Sequence, residues 1–303
     1  MSPLAETLLT AVGQTLRGKE DAIELAIVAL LAGGHLLIED NPGVGKTLLA
    51  KSLAKALDLP FQRVQCTADL LPSDVTGAQM WHPRTGELTF RPGPIFTSVL
   101  LADELNRTPP RTQSALLECM AERRVTIDRE THALPDPFFV IATQNPLTAA
   151  GTYPLPENQL DRFLLGIRLG YLDAEQEIEV VAREDGHRLV DELHPVATRD
   201  QLLAARAAVQ NVRCARELVA FVVELAQQTR SMPDVALGVS TRGAQALHRA
   251  CRARAFVHGR DYVVPDDVRA LLVPAWAHRI TCRSGGDPTT VLHGILAETA
   301  LPD

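Results

Sequence analysis

The chain holds 303 residues, 46% of them apolar, and carries a formal net charge of -7. That length and apolar content supply a sizeable core for one large domain or two ordinary ones, whereas the charge argues against a sequence-independent duplex-DNA binder, which needs a surplus of Lys and Arg. Five cysteines, odd in number and without a C-x-x-C pair, indicate neither a disulfide framework nor a zinc ribbon and fit buried thiols of a reducing cytosol.

The N-terminal MSPLAETLL lacks the basic and longer apolar regions of a signal peptide. From Glu20 to Leu31 apolar residues recur at helical spacing; Gly33-Gly34 stops that helix, and His35 to Ile38 reads as a buried strand. The apolar run from Ala26 to Ile38 is broken by Gly33, Gly34 and His35 and is shorter than the ~20 residues a bilayer span needs, so no membrane insertion is expected.

After the strand come Asp40, Asn41, Pro42, Gly43, Val44, Gly45, Lys46 and Thr47, then a helical run that opens on Leu48. This is the strand-loop-helix setting of a phosphate-binding loop. The usual first glycine is Asp40 here, but Gly43, Gly45, Lys46 and Thr47 are in place. Glycines let backbone N–H groups wrap phosphates, and the helix N-terminus adds partial positive charge. Lys46 is expected on the β- and γ-phosphates of ATP and Thr47 on Mg2+.

Further buried-strand runs are Val99 to Ala102, Phe138 to Ala142 and Phe163 to Ile167, each spaced from the next by room for a helix. Such alternation implies a parallel sheet covered on both faces. The second of these four strands ends in Asp103-Glu104. An acidic pair at a strand end is often only a solvated turn or cap, but at the C-terminal edge of a parallel sheet it stands where open sheets bind ligands. Asp103 is expected to hold Mg2+ through its water shell and Glu104 to orient and polarise the attacking water.

Two segments read as hairpins inserted into the core: Ala78 to Phe90, turning at Pro83-Arg84-Thr85-Gly86, and one centred on Val125 to Thr131. After about Asp191 strand-like runs largely stop and Ala-, Leu- and Arg-rich helical patterns take over through Gln201 to Thr229 and Gly243 to Phe256. His248, Cys251 and His258 lack companion ligands for a metal, and no nucleophile elbow is present.

The run from Leu100 to Met120, together with RPGPIF (Arg91 to Phe96), ATQNP (Ala142 to Pro146), GTYPLPENQLDRF (Gly151 to Phe163) and GVSTR (Gly238 to Arg242), resembles the MoxR family of AAA+ ATPases, in family order and over nearly the whole chain. The resemblance implies an α/β P-loop core over residues 1–192, with a parallel sheet between helices, two inserted hairpins and ATP/ADP bound with Mg2+, followed by a smaller all-α lid over 193–303. It implies cytoplasmic, ring-forming copies, commonly six, with ATP between neighbours.

By the same resemblance, Asn145 matches a polar sensor of the γ-phosphate or attacking water, carried between the phosphate-loop strand and the acidic strand. Arg162 matches an arginine finger given to the neighbouring subunit, and Arg242 a lid sensor. Gly18, after Thr15-Leu16-Arg17, matches a segment bordering the adenine. Trp81 and Arg84 become candidates for partner contact, although Trp81 could equally pack under its own hairpin. Relatives usually carry glycine where this chain has Arg129, which leaves the second turn's geometry open. The function implied is chaperone-like remodelling or activation of a protein client, often one with a von Willebrand factor A domain. A magnesium-chelatase-like motor subunit is the nearest alternative. A nucleic-acid motor or loader is opposed by the acidic balance and by aromatics at only 4%.

Overall fold

The computed structural model describes residues 1–84, 86–128, 130–145, 151–183 and 186–300. Thr85 of the first hairpin turn, Arg129 of the second and Pro146 of ATQNP therefore lie outside the described residues. In chain order, α1 (Pro3–Thr15) and α2 (Glu20–Leu31) precede β1 (Leu36–Glu39), and the glycine loop leads into α3 (Lys46–Ala56). Then follow β2 (Phe61–Gln65), the short α4 (Pro72–Thr76), β3 (Gly77–His82), β4 (Glu87–Pro92), β5 (Val99–Asp103) and α5 (Pro110–Glu122). Next come β6 (Arg124–Ile127), β7 (Glu130–Ala133), β8 (Phe139–Gln144), α6 (Glu157–Leu160), β9 (Leu165–Ile167), α7 (Ala174–Arg183) and α8 (Gly186–Glu192). The C-terminal part comprises α9 (Arg199–Gln210), α10 (Arg216–Ser231), β10 (Val235–Leu237), α11 (Thr241–Val257), α12 (Pro265–Trp276), β11 (Thr281–Cys282) and α13 (Pro288–Glu298).

Five parallel strands in the order β2-β5-β8-β1-β9 form the central sheet. Successive side chains on a strand point to opposite faces, and the core divides accordingly. Leu36, Ile38, Val99, Leu101, Phe139 and Ile141 join one apolar cluster with α1, α2 and the C-terminal helices. Leu37, Leu100, Ala102, Val140 and Ala142 join a second with α5 and Phe163. Burial on both faces explains why these strands read as unbroken apolar runs.

β3-β4 and β6-β7 form separate antiparallel ribbons, the two expected hairpins. They lean together: the Phe90 ring stacks on His132 at 4.1 Å, and Phe96 meets Phe90 edge-on at 5.5 Å. Trp81 is 60% exposed, so it is not tucked beneath its ribbon. Asp128 turns β6 toward β7 with a left-handed φ of 56°. The C-terminal part is helical apart from the short ribbon β10-β11. Among the described residues no helix is long and apolar enough to cross a membrane.

Candidate functional site

The loop between β1 and α3 lies at the C-terminal edge of the sheet. Gly43 and Gly45 take φ of +85° and +102°, which side-chain-bearing residues rarely adopt. At Gly45 a Cβ would also meet Leu16 Cδ1 at 2.6 Å. Gly45 opens α3 without a side-chain cap or an acid in the first turn, leaving that turn's N–H groups available to an anion. Lys46 Nζ donates to the Asp40 backbone oxygen at 2.5 Å. Burial lowers the Lys46 pKa, opposed by the nearby carboxylates of Asp103, Asp40 and Glu104.

Asp40 acts as a bracket. Its Oδ1 accepts from Asn41 N at 2.8 Å, and its Oδ2 accepts from Leu169 N and Gly170 N, both at 2.7 Å. The loop is thereby tied to the segment leaving β9. Asn41 Nδ2 donates to the Tyr171 hydroxyl at 3.2 Å, and Lys19 Nζ to the Tyr171 carbonyl at 2.8 Å.

The acidic pair is held by Thr143, fully buried on the adjacent strand. Its hydroxyl donates to Asp103 Oδ1 at 2.7 Å and accepts from the Glu104 N–H at 2.8 Å. Glu104 itself is left-handed, at φ 57° and ψ 48°, a strained backbone of the kind found at functional turns. Arg63 binds Asp103 Oδ2 at 2.7 Å; Arg107 and Gln65 reach Glu104 Oε2 at 3.0 and 3.3 Å.

One hollow of about 530 Å³ collects Pro42, Gly43, Gly45, Lys46, Thr47, Leu48, Asp103 and Glu104, joined by Arg63 and Gln65. Val44 instead packs against the apolar core. Asn145 is buried just beyond β8, the strand between β1 and β5, and its carbonyl accepts from Asn106 Nδ2 at 3.4 Å. Gly18 has φ +66°, and the group pressed against it is the Gln176 side chain of α7, 2.5 Å from where a Cβ would sit.

Arg162 and Arg242 lie elsewhere. They line a second hollow, with Gly33, His35 and Arg249, that among the described residues shares no wall residue with the first. The starts of β1 and β9 flank it, so it occupies the opposite edge of the sheet. Arg162 Nη1 donates to the Leu117 carbonyl at 2.6 Å. A latch sets the spacing of the two arginines: Asp161 Oδ1 accepts from Arg279 Nε at 2.8 Å, and Oδ2 from Ser240 Oγ at 3.1 Å. Ser240 in turn caps α11, accepting from Gly243 N at 3.0 Å. Arg279, with a side chain only 3% exposed, also donates to the carbonyls of Leu164, Phe163, Ala275 and Asp161.

Sequence reading missed Thr143, Arg63, Gln65, Tyr171 and the Asp161 latch. Asp161 stood beside Arg162 in its motif and Thr143 within ATQNP, but nothing in either motif marked their tasks; Arg63, Gln65 and Tyr171 carried no local signal.

Residues 35–165 match the model of an ATPase family associated with various cellular activities (AAA), and residues 227–294 match an AAA lid domain. The chain is 37% identical to Chaperone MoxR1 of Mycobacterium tuberculosis, over 98% of this chain and 82% of that protein. It is 32% identical to Protein MoxR of Methylorubrum extorquens, over 87% and 83%, and 46% identical to YeaC of Bacillus subtilis, over 98% and 92%. A crystal structure of a Cytophaga hutchinsonii protein assigned as an ATPase superposes with a TM-score of 0.90 at 36% identity, covering 98% of this chain and 94% of that one. A nucleotide-type loop at a parallel sheet edge, an ordered acidic pair beside it and relatives of this kind over almost the full length make the chain a MoxR-family AAA+ ATPase.

Proposed function

We propose that the chain binds ATP with Mg2+ in the hollow between the glycine loop and Asp103-Glu104, and hydrolyses it when a neighbouring copy supplies Arg162 and Arg242. Copies then join head to tail into a closed ring, six in number by family resemblance, and hydrolysis remodels a protein client. One observation carries this reading: the phosphate-type hollow and the two-arginine hollow lie at opposite sheet edges with no shared wall. A single copy cannot bring them together, whereas a heterologous ring does so at every interface.

The geometry supports a role for each residue. The first-turn amides of α3 and Lys46 bind the β- and γ-phosphates. Thr47 and Asp103 present hard oxygen donors in the same hollow, a set that fits Mg2+; the ion supplies charge neutralisation across those phosphates. Glu104, aimed by its left-handed backbone and the Thr143 contact, polarises a water whose oxygen attacks the γ-phosphorus. The bond to the bridging oxygen breaks, and its electron pair leaves with ADP. Asn145 holds the water or a γ-oxygen, having both donor and acceptor atoms. The neighbour's arginines offset charge that grows on the transferred group. The client, of the von Willebrand factor A type by family resemblance, meets the exposed hairpin carrying Trp81 and Arg84.

Mixing tests the shared site. Lys46→Ala and Arg162→Ala should each be inactive alone, whereas an equal mixture should regain about a quarter of wild-type turnover, because about one interface in four pairs an intact loop with an intact finger. Turnover independent of protein concentration, with no recovery on mixing, would refute the composite site.

A further inference from the structure

Beyond Arg162 and Arg242 the positive surface continues. A further hollow of about 450 Å³ shares Gly33, Arg123 and Arg249 with the two-arginine hollow and adds Arg206 and Arg252. Among the described residues Asp136 is the lone carboxylate on its walls, in a chain whose net charge is -7. Arg206 is half committed. Its Nε donates to the Leu30 carbonyl at 2.9 Å and Nη1 stands 3.5 Å from Asp136, but Nη2 is buried without a partner among the described residues. Burial pulls its guanidinium down to about 10, with Asp136 opposing and Arg123 adding to the effect. The floor is apolar, formed by Leu31, Leu203, Ala207 and Val209.

The opposite sheet edge carries the complement. α7 follows β9 and is exposed along nearly its whole length. It bears Glu175, Glu177 and Glu179, with Asp173 just before it, and Ile178 and Val181 are 67% and 68% exposed. Among the described residues its ties to the rest of the chain are few: Gln176 presses on Gly18, and Glu179 pairs with Arg17 at 3.5 Å. An amphipathic helix left this open is short of a partner.

We infer that α7 of one copy docks into the arginine hollow of the next, its glutamates meeting Arg123, Arg206, Arg249 and Arg252 while Ile178 and Val181 cover the apolar floor. The inference rests on the head-to-tail reading above. Both partners lie on the edges that reading brings together, and both charge and apolar character match. Because α7 also touches Gly18, two residues after the Leu16 side chain that packs against Gly45, the neighbour would sense that loop through this helix.

Assembly of the full chain with ATP, followed by sedimentation velocity, tests it. Glu175→Arg/Glu177→Arg and Arg249→Glu/Arg252→Glu should each raise the concentration needed for assembly by at least about tenfold, and the combined reversal should restore it toward wild type, as expected of paired interfacial charges. Ile178→Ser/Val181→Ser, on the exposed helix face, should weaken assembly without altering melting, which covers the case in which an arginine reversal unfolds. Wild-type chain that never assembles would sink the ring reading itself. Wild-type chain that assembles while the reversals assemble equally well, or fail to rescue each other, would overturn only the α7 docking. Inorganic phosphate binding lost in Arg249→Glu/Arg252→Glu with unchanged assembly would instead make the hollow a small-anion site and also overturn it.

Discussion

Replacing Asp161 with Ala removes the carboxylate that Arg279 and Ser240 share. Deleting one member of a buried ion pair typically costs 3–5 kcal/mol, because the other charge stays desolvated. Two features reduce that figure here. The Asp161 side chain is 18% exposed, and Arg279 keeps four backbone carbonyl acceptors. A loss of about 2–3 kcal/mol follows, of which Asp161→Asn, retaining the shape and one acceptor, should recover roughly half. Urea unfolding of the two variants, of Arg279→Met and of the double substitution closes a double-mutant cycle. Arg279→Met alone should be comparably damaging, and the double substitution should cost clearly less than the sum. A loss below about 1 kcal/mol for Asp161→Ala, or additive single effects, would refute the latch.

Thr143→Val keeps the packing volume but strips the hydroxyl that joins Asp103 to the Glu104 N–H. Stability should fall by about 2–3 kcal/mol and turnover at saturating ATP by at least about tenfold; unchanged turnover would mean that Thr143 does not position Glu104. His35 accepts from Val140 N at Nδ1 and approaches the Met120 carbonyl at Nε2, and burial lowers its pKa to about 4 from an unfolded 6.5. The unfolded chain therefore binds the extra proton between those values. The stability is fully present above pH 6.5 and falls by up to about 3 kcal/mol as pH drops toward 4. Unfolding free energies across that window should show a shallower slope in His35→Leu, with a remainder from buried His278, whose pKa is lowered in the same direction. Trp81→Ala, at an exposed ribbon position, should leave stability within about 0.5 kcal/mol of wild type while reducing client-dependent turnover; a large stability loss would place the ring in packing after all.

Features written into short stretches of chain were legible in advance. The Glu20–Leu31 periodicity gives a helix with those same bounds, the apolar runs give β1, β5, β8 and β9, and the glycine loop with its acidic pair converges on one hollow. β2 escaped because Phe61-Gln62-Arg63-Val64-Gln65 is an edge strand with little buried surface and no clean alternation. Its contribution, Arg63 on Asp103, exists only through the register that sets Gln65 beside Asp103. Thr143 was present in a recognised run, yet its task depends on β8 lying beside β5. The β10-β11 ribbon, with strands of three and two residues, is too short to leave a periodic trace in a helical stretch. Arg162 and Arg242 were both named from motifs, but only the folded chain gathers them into one hollow remote from the glycine loop.

The aspartate at the head of the glycine loop changes what that loop can transmit. A glycine there would leave the first turn free to breathe on its own. Asp40 instead grips the amides of Leu169 and Gly170, three residues before the acidic approach to α7 begins at Asp173. The loop and the exit from β9 are consequently one mechanical element. A push on residues 169–171, whether from a subunit, a client or the relaxation after product leaves, arrives at the phosphate cradle without passing through the sheet.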